Sequence, residues 1–272
     1  MAGDSVLELR QYTLRGGQRE TLISLFEKEF VTPQNEAGCF VRGTFRDLDD
    51  PDRFVWIRGF VDMVSRKLAL ESFYGGPVWQ RHKAAANASM VDSDDVLLLR
   101  PAETARLAFA WKSRVTGLAA IYAAFVYYLN GTSINEFWTF YRATIRPRLA
   151  ALGADPPLEL HSETAANNFP RLPVREREEV FLWMGKWSSV ADLQAFQERW
   201  AGQSGWRDSV PESLMPALMR KPEILRLAPT AGSELSWTYA ETGNAPTYAK
   251  PTHMAAGRRS ACVRCPSLCI FT

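Results

Sequence analysis

The sequence predicts an α+β fold: two tandem ferredoxin-like units whose antiparallel sheets pair face to face as a barrel, with helices on the outer faces. Three observations lead there. Residues 5–102 read strand, helix, strand, strand, helix, strand, the split β-α-β arrangement. The run Phe54-Val55-Trp56-Ile57-Arg58-Gly59-Phe60 recurs as Phe181-Leu182-Trp183-Met184-Gly185-Lys186-Trp187, and Val96 to Ala102 recurs as Ile224 to Thr230 at nearly the same offset, so the chain carries an internal repeat. A sheet with helices on only one side leaves its other face bare, and a second sheet of the same kind would cover it. The expected organisation is a first unit at 5–102, a linker at 103–119, a second unit at 120–230 and a disordered tail at 231–272.

Each element has a local reason. From Val6 to Leu14, Leu7 and Leu9 alternate with Glu8, Arg10 and Tyr12, as a half-buried strand should. Gly16-Gly17 breaks it. Leu22, Leu25, Phe26 and Phe30 then fall three and four apart on one side of a helix expected to end near Pro33, with Gly38 marking the exit. Phe40 to Arg46 and Arg53 to Phe60 flank an Asp- and Pro-rich turn and read as a hairpin. A second helical region starts at Asp62, breaks at Gly75-Gly76 and restarts at Pro77, which suits a first helical position. The unit closes in a strand from Asp95 to Arg100. Later, Pro147 and Gly153 repeat the roles of Pro33 and Gly38, and Tyr127-Tyr128 stands where Tyr12 does.

Composition excludes several classes. With 272 residues, 32 Lys plus Arg against 30 Asp plus Glu and 46% hydrophobic residues, the chain is an ordinary globular protein. A net charge of +2 exerts no overall pull on nucleic acid or anionic lipid. The longest apolar run, Leu118 to Leu129, falls short of the roughly 20 residues of a membrane helix, so no membrane span is expected. The start lacks the pattern of a secretory leader or transit peptide, and the expected compartment is the cytoplasm. Of the four cysteines only Cys39 precedes residue 262, so no disulfide framework is expected. Cys262, Cys265 and Cys269 have tight spacing but no evident fourth ligand beyond His253, and an oxidation-prone tail is the simpler reading.

Two groups of residues could carry chemistry. Trp79 and His82 lie three apart on a predicted helix and so share a face, with Tyr74 and Asn87 close by. A histidine there could ligate a metal or haem, transfer a proton, or simply pack. The second group is the polar face of the sheet: Glu8, Arg10 and Tyr12 with Arg42, Thr44, Arg46, Trp56 and Arg58. Placed inside a closed barrel, these charges would form either an ion-pair network or a site where Arg10, Arg46 and Arg58 hold a carboxylate or phosphate. His161, with Glu159 on the same strand face, reads as a packing residue. No metal site is expected, because the three histidines form no metal-binding pattern. Asp47, Asp49, Asp50 and Asp52 lack the glycine and distal glutamate of a calcium loop. The aromatics Tyr122, Phe125, Tyr127, Tyr128, Phe137, Trp138, Phe140 and Tyr141 read as core.

Three segments together resemble one known family. They are Leu9-Arg10-Gln11-Tyr12-Thr13-Leu14 after Glu8, the hairpin Phe45 to Trp56, and Val78-Trp79-Gln80-Arg81-His82 through Asn87 to Ser93. They resemble the NipSnap family of the dimeric α/β-barrel superfamily, closely over 5–102 and more loosely over 120–230. The resemblance implies the fold and a small-molecule-binding or protein-interaction module of undefined activity, with a homo-oligomer as a further expectation. The competing class it implies is an oxygenase-type enzyme, haem-dependent or cofactor-free, using Trp79 and His82 beside Tyr12. The haem-degrading branch uses a first-strand Asn with a Trp and a His. Here Gln11 and Tyr12 occupy that strand position and the Trp-to-His spacing is shorter, so haem is not a firm expectation.

Overall fold

The computed structural model describes residues 3–103, 120–154, 158–203 and 205–233. All of the expected linker but Glu103, most of the expected tail, His253 and the three terminal cysteines lie outside these residues. Strand β1 (Val6–Leu14) leads into α1 (Arg19–Leu25), a π-helical turn at Phe26–Phe30 and α2 (Val31–Ala37). The hairpin β2 (Phe40–Asp47) and β3 (Arg53–Phe60) follows, then α3 (Met63–Gly75), α4 (Pro77–Ser89) and β4 (Met90–Pro101). The second series runs β5 (Ile121–Tyr128), α5 (Ile134–Phe140), a π-helical turn at Tyr141–Ile145, α6 (Arg146–Ala151), β6 (Leu158–Ser162), β7 (Val180–Trp187), α7 (Val190–Ala201), α8 (Met215–Leu218) and β8 (Glu223–Pro229).

The eight strands form one closed antiparallel barrel in the order β1-β3-β2-β8-β5-β7-β6-β4. Each half contributes four neighbouring strands. They join where β2 pairs with β8, through Phe45 and Pro229, and where β4 pairs with β6, through Leu99 and Ser162. Each seam is short: β2 meets β8 only over Phe45 to Asp47, and β4 meets β6 only over Leu99 to Pro101. Among the described residues no helix is long and apolar enough to cross a membrane.

Two boundaries differ from the sequence reading. The first helical run passes through Pro33 and stops at Gly38, whose φ of 93° supplies the left-handed C-terminal residue. The π turn makes this possible. It restarts the helical ladder at Val31, so Pro33 falls in the first turn of α2, where its missing N–H costs little. Strand β4 begins at Met90, ahead of the expected Asp95, because its polar start still pairs with Thr13 and Leu14 across irregular register.

The larger correction concerns which face is inside. Leu7, Leu9, Phe45, Val55, Ile57, Leu97 and Leu99 join Tyr122, Ala124, Val126, Leu182, Met184, Leu225 and Leu227 in an apolar barrel interior. Glu8, Arg10, Tyr12, Trp56 and Arg58 lie on the outer side, beneath α1 to α4, where Tyr12 and Trp56 belong to the helix–sheet core. Alternation separates a strand's two faces without saying which will be enclosed. The narrow eight-strand interior takes the branched aliphatic set, and the helices cover the charges.

Candidate functional site

The site is built on neighbouring strands. Register places Glu8 opposite Arg58 and Arg10 opposite Trp56, so alternate residues of β1 and β3 present two guanidiniums and a carboxylate to the helices. Glu8 Oε2 accepts from Arg10 Nη1 and from Arg58 Nε, each at 2.7 Å, and Glu8 Oε1 accepts from Arg66 Nε of α3 at 2.7 Å. Arg58 Nη1 donates to Gln34 Oε1 of α2 at 3.1 Å and to the Tyr74 hydroxyl at 3.4 Å. Arg10 Nε donates to the Tyr12 hydroxyl at 3.1 Å. Glu8, Arg58 and Arg66 are 0% exposed and Arg10 is 1% exposed, so this is a wholly buried cluster with three cations against one anion.

The electrostatics follow from that imbalance. Burial alone would raise the Glu8 carboxyl, but Arg58, Arg66 and Arg10 outweigh it and hold the group well below the usual carboxylate range. Burial works against the charge on Arg10 and Arg58 too, yet Tyr12 and Glu8 around the one, and Glu8 and Tyr74 around the other, leave both more firmly protonated than usual. Burial pushes the Tyr74 phenol up, keeping it neutral, and pushes the Cys39 thiol up to about 11. No described anion other than Glu8 bonds directly to these guanidiniums. Their remaining partners are neutral oxygens: Gln34, Tyr74, Tyr12, Asn167, Asn168 and, at 3.5 Å, the Ser93 carbonyl.

A void of about 20 Å³ adjoins the cluster, lined by Tyr12, Gln34, Trp56 and Tyr74 and otherwise by apolar side chains including Phe30 and Trp79. Trp56 lies between the Arg10 and Arg58 guanidiniums, 5.6 and 5.1 Å from its ring, and its indole N–H has no acceptor. Arg66 Nη2 is likewise unpartnered.

The structure thus gathers Arg10, Tyr12, Trp56, Arg58, Tyr74 and Trp79 around one place. The other candidates stand elsewhere. Arg46 lies outside, bonded through Nε and Nη2 to Glu20 at 2.8 and 2.6 Å. Asn87 is on α4 and does not line the void. His82 meets Glu29 at 3.5 Å and packs against the Phe30 ring, and it does not line the void. Haem does not fit these residues: the void holds about one water, against roughly 300–1,000 Å³ for a ligand pocket, and His82 does not line it. His161 bonds Ser162 O at 3.0 Å, with its pKa lowered by burial. Among the described residues no group suited to a metal ion is found.

Sequence reasoning missed Gln34 and Arg66. Both carried a signal, since Arg66 falls on the Ala69, Leu70, Phe73 face of α3 and Gln34 follows Phe26 and Phe30 at four-residue steps. It also missed Asn167, Asn168 and Phe169, which come from the β6–β7 connection of the other half. No local pattern could have announced them.

No protein-family model matches the chain, and no curated protein does. Among solved structures, a monooxygenase-labelled protein from Fusobacterium nucleatum superposes at a TM-score of 0.53 with 9% identity, over 84% of this chain and 94% of that one. The fold is the dimeric α/β barrel. NIPSNAP proteins are among the neighbours of this α/β barrel. One from Agrobacterium tumefaciens is 18% identical over 38% of this chain and 90% of its own, at a TM-score of 0.35. A NIPSNAP-like domain protein from Burkholderia xenovorans is 22% identical over 36% and 86%, at 0.34. The likeness to the Fusobacterium protein is one of fold, and chemistry has to be argued from the site.

Proposed function

We propose that this chain is a NipSnap-type small-molecule-binding module without turnover of its own, arisen by tandem duplication, in which residues 5–102 bind and residues 120–230 close the barrel. The buried excess of guanidinium charge carries this reading. Enclosing cations costs several kcal/mol per ion, and a purely structural network would be expected to balance them. Here two positive charges beyond Glu8 lie beside an aromatic-walled void, with the Trp56 N–H and Arg66 Nη2 still open to an acceptor. Such a place suits an anion on an apolar body. Among the described residues, the corresponding core of the second half is Phe125, Trp183, Trp187, Phe137 and Phe196.

Native mass spectrometry of the full chain tests the reading. A mass excess that disappears on denaturation, and that Arg10→Met lowers, is the expected result. A chain that arrives empty and shows no thermal shift across a panel of small organic acids would overturn it.

A further inference from the structure

The β6–β7 connection, 163–179, contains neither helix nor strand. Unstructured connections longer than roughly 12–15 residues in compact domains are usually functional. This one leaves its own half and lies over the first-half site. Asn168 Oδ1 accepts from Arg66 Nη1 at 2.7 Å and Asn167 Oδ1 at 3.1 Å, while Asn168 Nδ2 donates to the Met63 carbonyl at the start of α3. The Phe169 ring stacks on Tyr74, 6.0 Å between centroids and 28° between planes, and Phe169 and Leu172 are buried in the first-half core. The residues between and around these anchors, Thr164 to Ala166 and Pro170 to Arg171, are exposed.

The planar amide on a guanidinium, followed by a benzene ring on a phenol, has the form of an aromatic acid. A carboxylate would answer Arg66 better than an amide, since it brings a charge and can meet Nη1 and the unpartnered Nη2 together. We propose that Asn168 and Phe169 form an internal mimic occupying the place of a small aryl carboxylate, which binds by displacing the strap from Arg66 and Tyr74. This rests on the binding reading above and adds the ligand class and the way in. It also accounts for the small void, because the strap fills the space the ligand would take.

The test uses the full chain with phenylacetate as probe and 2-phenylethanol and inorganic phosphate as controls. Calorimetric titration should show phenylacetate binding at least about tenfold tighter than either control, the charge-assisted contact supplying the difference. The double variant Asn168→Ala/Phe169→Ala should bind phenylacetate about tenfold tighter than the parent, as when a self-blocked state holding roughly nine-tenths of the population is removed. Phe169→Leu, which loses only the ring stacked on Tyr74, should move affinity in the same direction by a smaller factor and serves if the double variant folds poorly. Phenylacetate should also speed tryptic cleavage after Arg171 in the parent chain.

Equal binding of the alcohol, strap variants that bind no tighter, or cleavage that ligand slows would each overturn the proposal. A retained molecule that is not an aryl acid, with phenylacetate inert, would sink this inference while leaving the binding function standing. An empty chain inert to all acids would remove both.

Discussion

The two halves of the barrel share a backbone plan and differ in what they put under their helices. Tyr12 opposite Phe54, Arg10 opposite Trp56 and Glu8 opposite Arg58 on β1 and β3 become Tyr127 opposite Phe181, Phe125 opposite Trp183 and Ala123 opposite Gly185 on β5 and β7. The π turns fall at the same place in each half, and beyond them Gln34 corresponds to Leu149. Counting four residues from the helix-capping Asp62 and Ser189 gives Arg66 and Leu193. Five positions thus change from polar to apolar or small, while the flanking aromatics Tyr12/Tyr127 and Trp56/Trp183 persist. In the second half Phe125 stacks on Trp183 at 4.1 Å, and Trp187 closes over Gly185. The scaffold therefore does not require the charges, since the same architecture packs with hydrocarbon in their place.

That contrast can be broken experimentally. Glu8→Gln should have the largest effect, about 3–5 kcal/mol in urea denaturation, because it leaves three buried guanidiniums without their counter-charge. The pH dependence follows the same group. A carboxylate held below its ordinary value of 4.5 in the folded chain stabilises above that pH, and its contribution is lost as pH falls further. The parent should lose stability on acidification below about 4.5, and Glu8→Gln should lack much of that loss. An unchanged acid limb would show that other carboxylates dominate.

In the apolar half, Gly185→Ala should cost about 1–3 kcal/mol by overpacking. Its new Cβ would lie 2.5 Å from Trp187 Cη2, so an unchanged melting temperature would mean that Trp187 moves freely. Rewriting the first half as the second, with Glu8→Ala, Arg10→Phe, Gln34→Leu, Arg58→Gly and Arg66→Leu together, should cost less than Glu8→Ala alone and abolish small-acid binding. A fivefold variant less stable than the single one would mean that the network holds the fold. His82→Ala should matter least, within about 0.5 kcal/mol, and neither it nor the parent should give a stoichiometric Soret band with haemin.

Much of this was legible before the structure. The hairpin, the Asp62 and Pro77 helix starts and the pairing of Phe54–Phe60 with Phe181–Trp187 are local or repeat signals, and those elements form where they were expected. The strand pattern groups Arg10, Tyr12, Trp56 and Arg58 on one face, expected inside the barrel; they meet Tyr74 and Trp79 because that face lies beneath the helices instead. His82 and Arg46 share faces with these residues and still stand apart from the cluster: Arg46 lies further along β2, opposite Phe54, where Glu20 takes it, and His82 lies one turn beyond Trp79, within reach of Glu29. The error over Pro33 came from treating a proline as a stop without knowing that a π turn precedes it.

The sequence by itself determined the element order, the two faces of every strand and the contrast between a charged and an apolar half, because these depend on periodicity and on residues near one another in the chain. Tertiary structure alone decided that the aliphatic face lines the barrel and that the charged one lies under helices. It alone brought Arg66 onto Glu8 and laid Asn168 and Phe169 over the site. Alternation is symmetric with respect to inside and outside until closure selects a face, and contacts such as Arg66 to Asn168 join residues 102 apart whose local sequences carry no record of each other.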